Sequence, residues 1–173
     1  TSPGDELSID AGGVGATIDA FSGSITVDGA QSFTTSGIED FSLSNVSTLT
    51  VAGDSAIDIV TLAGDAVVAG RDFLTINGRD PIALTSIGNL IFNGAGSSDQ
   101  FIFDGTNATP TVPAAFNGQA AGGRDGGDDL TILGSYNSQT FNYDAPGADG
   151  NNGSVVLDGT AIGYTGLEPI TGG

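Results

Sequence analysis

The chain has 173 residues and a mass of 17.0 kDa, a length that suits one domain around one core. Its net charge is −18, from 21 acidic residues against three arginines, and it contains no Lys, His, Cys, Met or Trp. An acidic surface disfavours nucleic acids and anionic membranes, and without imidazole, thiol or thioether groups neither a Ser-His-Asp triad nor the usual zinc, copper or haem ligand sets can form.

Apolar residues recur in pairs two positions apart, within short runs that end at Gly, Asp or Asn. This alternation is typical of β-strands. In chain order the pairs are Leu7/Ile9, Ile25/Val27, Leu49/Val51, Val60/Leu62, Leu74/Ile76, Leu90/Phe92, Phe101/Phe103, Leu130/Ile132, Phe141/Tyr143 and Val155/Leu157. The nearest candidate for a helix, 111–121, contains Pro113 and Gly118. The sequence therefore predicts an all-β protein with essentially no helix.

An internal repeat organises these strands. Segment 48–64 aligns without a gap on 89–105 at an offset of 41 residues, 123–134 matches the second half of the pattern, and 4–11 matches its end. The shared core is Asp, any residue, apolar, any residue, apolar, with Asp at positions 5, 58, 99 and 128. We predict a parallel β-solenoid with rungs of about 20 residues, two rungs to one offset. The alternative is an antiparallel β-sandwich, for which five Asn-Gly and Asp-Gly pairs would supply hairpin turns.

A longer unit occurs near both ends of the chain. The phrases GDELSI, GSITVDG and SGIEDFS lie in 4–42, and GDDLTI, GSVVLDG and TGLEPIT follow in the same order in 127–171. We interpret 1–173 as a single β-repeat domain with related motifs at 4–42 and 127–171. The second motif reads as the start of an unfinished repeat, so we expect one copy to continue onto the next, covalently or by stacking.

Two Gly- and Asp-rich turns, GAGSSDQFI at 94–102 and GGRDGGDDLT at 122–131, precede short strands. They resemble the hemolysin-type calcium-binding repeats of secreted proteins, whose pattern is Gly-Gly-x-Gly-x-Asp-x-apolar-x. The resemblance implies that Asp99 and Asp128 bind calcium through their carboxylates, with Asp125 and Asp129 as further ligands. The residues leave open that these side chains instead cap the turns by accepting hydrogen bonds from backbone amides, without a metal.

The turns, together with the SGIED and TGLEP phrases, resemble segments of the large secreted Gly/Asp-rich repeat proteins of bacterial surfaces, among them adhesins, surface-layer proteins and passenger-type solenoids. The resemblance implies a secreted or cell-surface structural subunit, without catalytic activity, whose partner is itself in a head-to-tail filament or array. An alternative is a calcium-stabilised adhesin module that binds a glycan or protein at a cell surface. A third is a β-solenoid glycosidase, which needs only two carboxylates. No apolar run approaches bilayer length, so we expect no membrane insertion.

Overall fold

The computed structural model of the chain describes residues 5–30, 32–34, 38, 40–118, 127–145, 150–167 and 171–172. Across these ranges the regular structure is β-strand, with no helix, which confirms the all-β prediction for the described part of the chain. The strands are β1 Glu6–Asp10, β2 Ala16–Asp19, β3 Ser24–Val27, β4 Phe33–Thr34, β5 Asp40–Val46, β6 Leu49–Ala52, β7 Ile59–Gly64, β8 Arg71–Ile76, β9 Ile82–Ile87, β10 Leu90–Gly94, β11 Gln100–Gly105, β12 Ala114–Gly118, β13 Asp129–Gly134, β14 Gln139–Tyr143, β15 Asn151–Leu157, β16 Thr160–Leu167 and β17 Thr171–Gly172.

The strands form two mixed sheets, neither of which closes on itself. Sheet A has the order β1-β5-β9-β8-β7-β11-β13-β17, and sheet B has the order β14-β15-β16-β12-β10-β6-β2-β3-β4. In sheet A every pair is parallel except those of β8, which runs antiparallel to β7 and β9. The centre of sheet B, from β16 to β2, is parallel and is flanked on each side by an antiparallel meander, β14-β15-β16 or β2-β3-β4.

Parallel pairing places like residues beside like residues. Leu49 and Val51 of β6 lie directly beside Leu90 and Phe92 of β10. The inward-facing residues of the two sheets form one buried core, in which the rings of Phe92 and Phe116 stack with centroids 4.9 Å apart. The fold thus combines the parallel columns expected of a solenoid with the antiparallel pairs expected of a sandwich.

The prediction that the 41-residue offset contains two rungs of about 20 residues is wrong. Asp58 and Asp99, which are 41 positions apart, directly precede the paired strands β7 and β11, so 41 residues make one step from strand to neighbouring strand and not two. The step is long because the reversed strand β8 is inserted between β7 and β9. The next step along the same sheet, from Asp99 to Asp128, takes 29 residues.

The five predicted hairpin signals have different outcomes. Asp158-Gly159 forms the two-residue turn between β15 and β16, with positive φ values of 49° and 94°. Asn77-Gly78 and Asp28-Gly29 lie in longer turns that follow β8 and β3. Asn93-Gly94 and Asn152-Gly153 lie inside strands. The dipeptide alone therefore does not mark a hairpin in this chain, because strand pairing overrides the local turn preference.

Candidate functional site

Three buried carboxylates are stacked one above another. Asp58, Asp99 and Asp128 directly precede or open the neighbouring strands β7, β11 and β13, and their exposed fractions are 1%, 1% and 6%. The backbone N–H of Asp58 donates to Asp99 Oδ1 at 2.8 Å, and the N–H of Asp99 donates to Asp128 Oδ1 at 2.8 Å. We call these three residues the carboxylate ladder. It explains why Asp recurs at two of these positions, since the carboxylates of Asp99 and Asp128 each accept a hydrogen bond from the backbone N–H of the ladder Asp before the neighbouring strand.

Each carboxylate of the ladder faces a glycine at the end of a sheet B strand. A Cβ atom added at Gly118 would lie 2.5 Å from Asp128 Oδ2, and one added at Gly53 would lie 2.8 Å from Asp58 Oδ2. Gly94 stands in the same relation to the middle carboxylate. Real Cβ atoms do not tolerate such contacts, so the recurring Gly of the repeat is required by the space that the carboxylate fills.

The middle carboxylate has a distinct electrostatic environment. Asp58 Oδ2 accepts a hydrogen bond from the Asp54 N–H at 2.9 Å, and its Oδ1 accepts one from the Asn77 side-chain amide at 2.7 Å. Asp99 Oδ2, in contrast, is buried without a hydrogen-bond partner in the described ranges. Burial, assisted by the negative charges of Asp128 and Asp58, raises the pKa of Asp99 to about 6. Asp99 therefore takes up a proton at a higher pH than an aspartate in water does.

The four residues predicted to bind calcium are only partly brought together. Asp99 and Asp128 are adjacent in the ladder, and each accepts a backbone N–H from the neighbouring layer, which is a different bond from the turn cap considered from the sequence. Asp129 lies on the outer face of its strand, where it accepts a hydrogen bond from Thr131 Oγ1 at 3.1 Å. Asp125 lies outside the described residues. The described part of the chain contains no group of three or more acidic side chains arranged to hold a metal, and calcium binding stays a prediction.

The predicted fourth copy of the motif lies elsewhere in the sheet. Asp5 precedes β1, and β1 pairs with β5 at the end of sheet A. The strands of the ladder, β7, β11 and β13, lie in the other half of that sheet. The likeness of 4–11 to the ladder sequence therefore does not place Asp5 in the ladder.

A further buried carboxylate was not marked by any repeated pattern. Asp72 of β8 is 1% exposed and accepts hydrogen bonds from the Thr111 N–H at 2.9 Å, the Thr111 hydroxyl at 3.0 Å and the Val112 N–H at 2.9 Å. Burial raises the pKa of Asp72 despite these donors. The residue anchors the segment between β11 and β12. Its only sequence signal is an Asp at an inward-facing position of an apolar strand.

Within the described residues, both sheets have open edges. β1 and β17 are the terminal strands of sheet A, and β4 and β14 are those of sheet B. Every side chain of β14 is exposed, including Phe141 at 39% and Tyr143 at 70%. On β2, by contrast, Ala16 and Ile18 are buried in the core, and the outer edge of the strand pairs with β6. An open strand edge with aromatic side chains is a surface on which another strand can pair.

The strands of the two related motifs pair in the same way. β1 pairs in parallel with β5, which places Ser8 beside Ser42, and β13 pairs in parallel with β17, which places Thr131 beside Thr171. Between them, β2-β3-β4 and β14-β15-β16 form equivalent antiparallel meanders. The meanders differ in which edge is covered. The first is covered at β2, by β6, and the second is covered at β16, by β12.

No family model, curated protein or solved structure matches this chain. Among the described residues, none form a helix that could span a membrane. The candidate site is therefore defined by its own geometry, which consists of a buried carboxylate ladder inside the body and uncovered strand edges at its ends.

Proposed function

We propose that the chain is an extracellular structural subunit, built as a parallel β-solenoid, that assembles head to tail into a filament or surface array. The observation that carries the proposal is the pairing of β6, β10 and β12 as parallel, in-register strands in a sheet that remains open at both ends. In a stack of this kind each layer contacts only its neighbours, so the outermost layers keep unpaired backbone groups.

Each end of the body carries one terminal strand from each sheet. Apart from β7–β9 in sheet A and the two meanders in sheet B, which run in reversed order, the chain passes through both sheets in the same direction, so β1 and β4 lie toward one end of the body and β14 and β17 lie toward the other. Two copies in the same orientation could therefore meet through two edges at once. A contact between unlike surfaces does not close on itself unless the rotation forms a ring, and it generates linear assemblies.

The composition and the resemblance to secreted repeat proteins support the extracellular part of the proposal. A Cys-free, Lys-free, Asp-rich chain with 29 glycines is typical of surface repeat proteins. The ladder and its glycines support the structural part, because they use carboxylates to bind backbone amides between layers.

Electron microscopy and sedimentation velocity of the purified 173-residue chain test the proposal. We expect unbranched linear particles, and sedimentation coefficients that rise with protein concentration at physiological ionic strength. A chain that remains a compact monomer at every concentration and ionic strength tested would contradict it.

A further inference from the structure

Resting on the proposed function, we infer that β14 of one copy pairs in parallel with β4 of a second copy in the same orientation. The contact joins the two uncovered edges of sheet B, so the partner is the chain itself. At this contact the inward-facing aromatic side chains are Tyr143 of β14 and Phe33 of β4.

The chain provides an internal template for this contact. β14 holds the same place in its meander as β2 does in the other, and the outer edge of β2 is covered by a parallel strand, β6. β4 holds the same place as β16, whose outer edge is covered by the parallel strand β12. β14 and β4 therefore each lack the parallel neighbouring strand that the equivalent strand of the other meander has at its outer edge. A second copy supplies both missing strands at one contact.

The register follows from one continuous column of paired residues that crosses sheet B. Its members, from one edge to the other, are Tyr143, Gly153, Tyr164, Phe116, Phe92, Val51, Ile18, Ile25 and Phe33. Residues directly opposite each other in neighbouring strands share a face. Because the six members from Tyr164 to Ile25 are all buried, Tyr143 and Phe33 face the same core side. A translated copy extends this column and buries both aromatic rings.

Direction and charge agree with the contact. β14 runs parallel to β16, and β4 runs parallel to β2, so both edges point the same way along sheet B. Neither strand carries a charged residue, although the chain as a whole has a net charge of −18. The surfaces that meet are thus among the least charged parts of the molecule.

Lysine substitutions at the two edges test the inference. Tyr143→Lys places a charge on the β14 edge and leaves β4 intact, and Phe33→Lys does the reverse. We expect each variant alone to need at least about tenfold more protein for assembly than wild type, because an inward-facing Lys blocks strand addition. An equimolar mixture should form a dimer of one chain of each kind and nothing larger. The matched control is Val67→Lys, at a loop position that is 87% exposed, and it should assemble like wild type.

The outcomes separate the two proposals. A wild-type chain that never assembles overturns both. If wild type and both edge variants assemble alike, only the pairing of β14 with β4 is overturned. Dimers of Phe33→Lys alone would show that β14 pairs with β14 of a second copy, which also overturns it. Circular dichroism melts check that the variants fold. Because Phe33 packs near Phe41, with ring centroids 6.3 Å apart, its replacement can also disturb folding. Thr34→Pro, at an exposed position, therefore serves as a second β4 variant.

Discussion

At the scale of single residues, Asp99 acts as a backbone acceptor that is costly to ionise. A buried carboxylate between two others is destabilised in its charged form, unless donors on every side compensate for the lost water. Asp58 differs from Asp99 in its surroundings. Asp58 has donors from Asp54 and Asn77, whereas Asp99 Oδ2 has none in the described ranges. The raised pKa of Asp99 therefore makes the stability of the fold depend on pH through this residue.

Asp99→Asn should reduce this sensitivity. The pKa of Asp99 is raised from 3.8 to about 6, so in this range the folded chain holds the proton more tightly than the unfolded chain does. The contribution of Asp99 to the free energy of unfolding therefore falls as the pH rises from about 4 to about 6 and is constant above. Asn keeps an acceptor for the Asp58 N–H but cannot ionise. We expect the melting temperature of the variant, relative to wild type, to rise with pH across this window.

The control for Asp99→Asn is Asp80→Asn, at an exposed position in the turn before β9. Its melting temperature relative to wild type should show no rise between pH 4 and 6. If the difference in melting temperature between Asp99→Asn and wild type is the same at pH 4 and pH 7, the Asp99 carboxyl does not take up a proton in the folded chain within this range.

At the scale of elements, all ten apolar pairs read from the sequence lie in strands, from Leu7/Ile9 in β1 to Val155/Leu157 in β15. The alternation of apolar and polar residues identifies each strand by itself, because burial of one face of a strand imposes a period of two. It does not reveal which strand pairs with which, so the reversal of β8 and the true length of the step were not predictable. The open edges could not be read from the sequence either, because Phe141 and Tyr143 show the same alternation as a covered strand.

The anchoring of the 106–113 segment by β8 can be tested with Asp72→Ala. The change leaves the N–H groups of Thr111 and Val112 and the Thr111 hydroxyl without their acceptor. We expect the free energy of unfolding to fall by about 2–4 kcal/mol, measured by urea denaturation. Amide hydrogen exchange at Thr111 and Val112 should also become faster. Asp72→Asn, which retains one acceptor oxygen, should lose less stability, and equal losses in the two variants would argue against the hydrogen bonds as the cause.

At the scale of the whole molecule, the charge and the proposed contact act in opposite directions. Every copy carries a net charge of −18, so two bodies that meet end to end repel each other. The edges themselves are uncharged, and the repulsion comes from carboxylates on the surrounding turns. Such exposed charges interact over roughly the Debye length, which is about 8 Å at physiological ionic strength. The repulsion can therefore be screened without affecting the strand pairing.

Added salt should consequently promote assembly. We expect the protein concentration at half-assembly, measured by sedimentation velocity, to fall as sodium chloride is raised, because screening removes repulsion while the apolar contact of Tyr143 and Phe33 is unaffected or strengthened. The Tyr143→Lys variant serves as the control and should remain unassembled over the same range. Calcium compared with sodium chloride at equal ionic strength separates screening from specific binding, since a much larger effect of calcium, abolished by chelator, would indicate a metal site at the contact. Assembly that weakens as salt is added would show that attraction between charges, and not pairing of uncharged edges, holds the copies together.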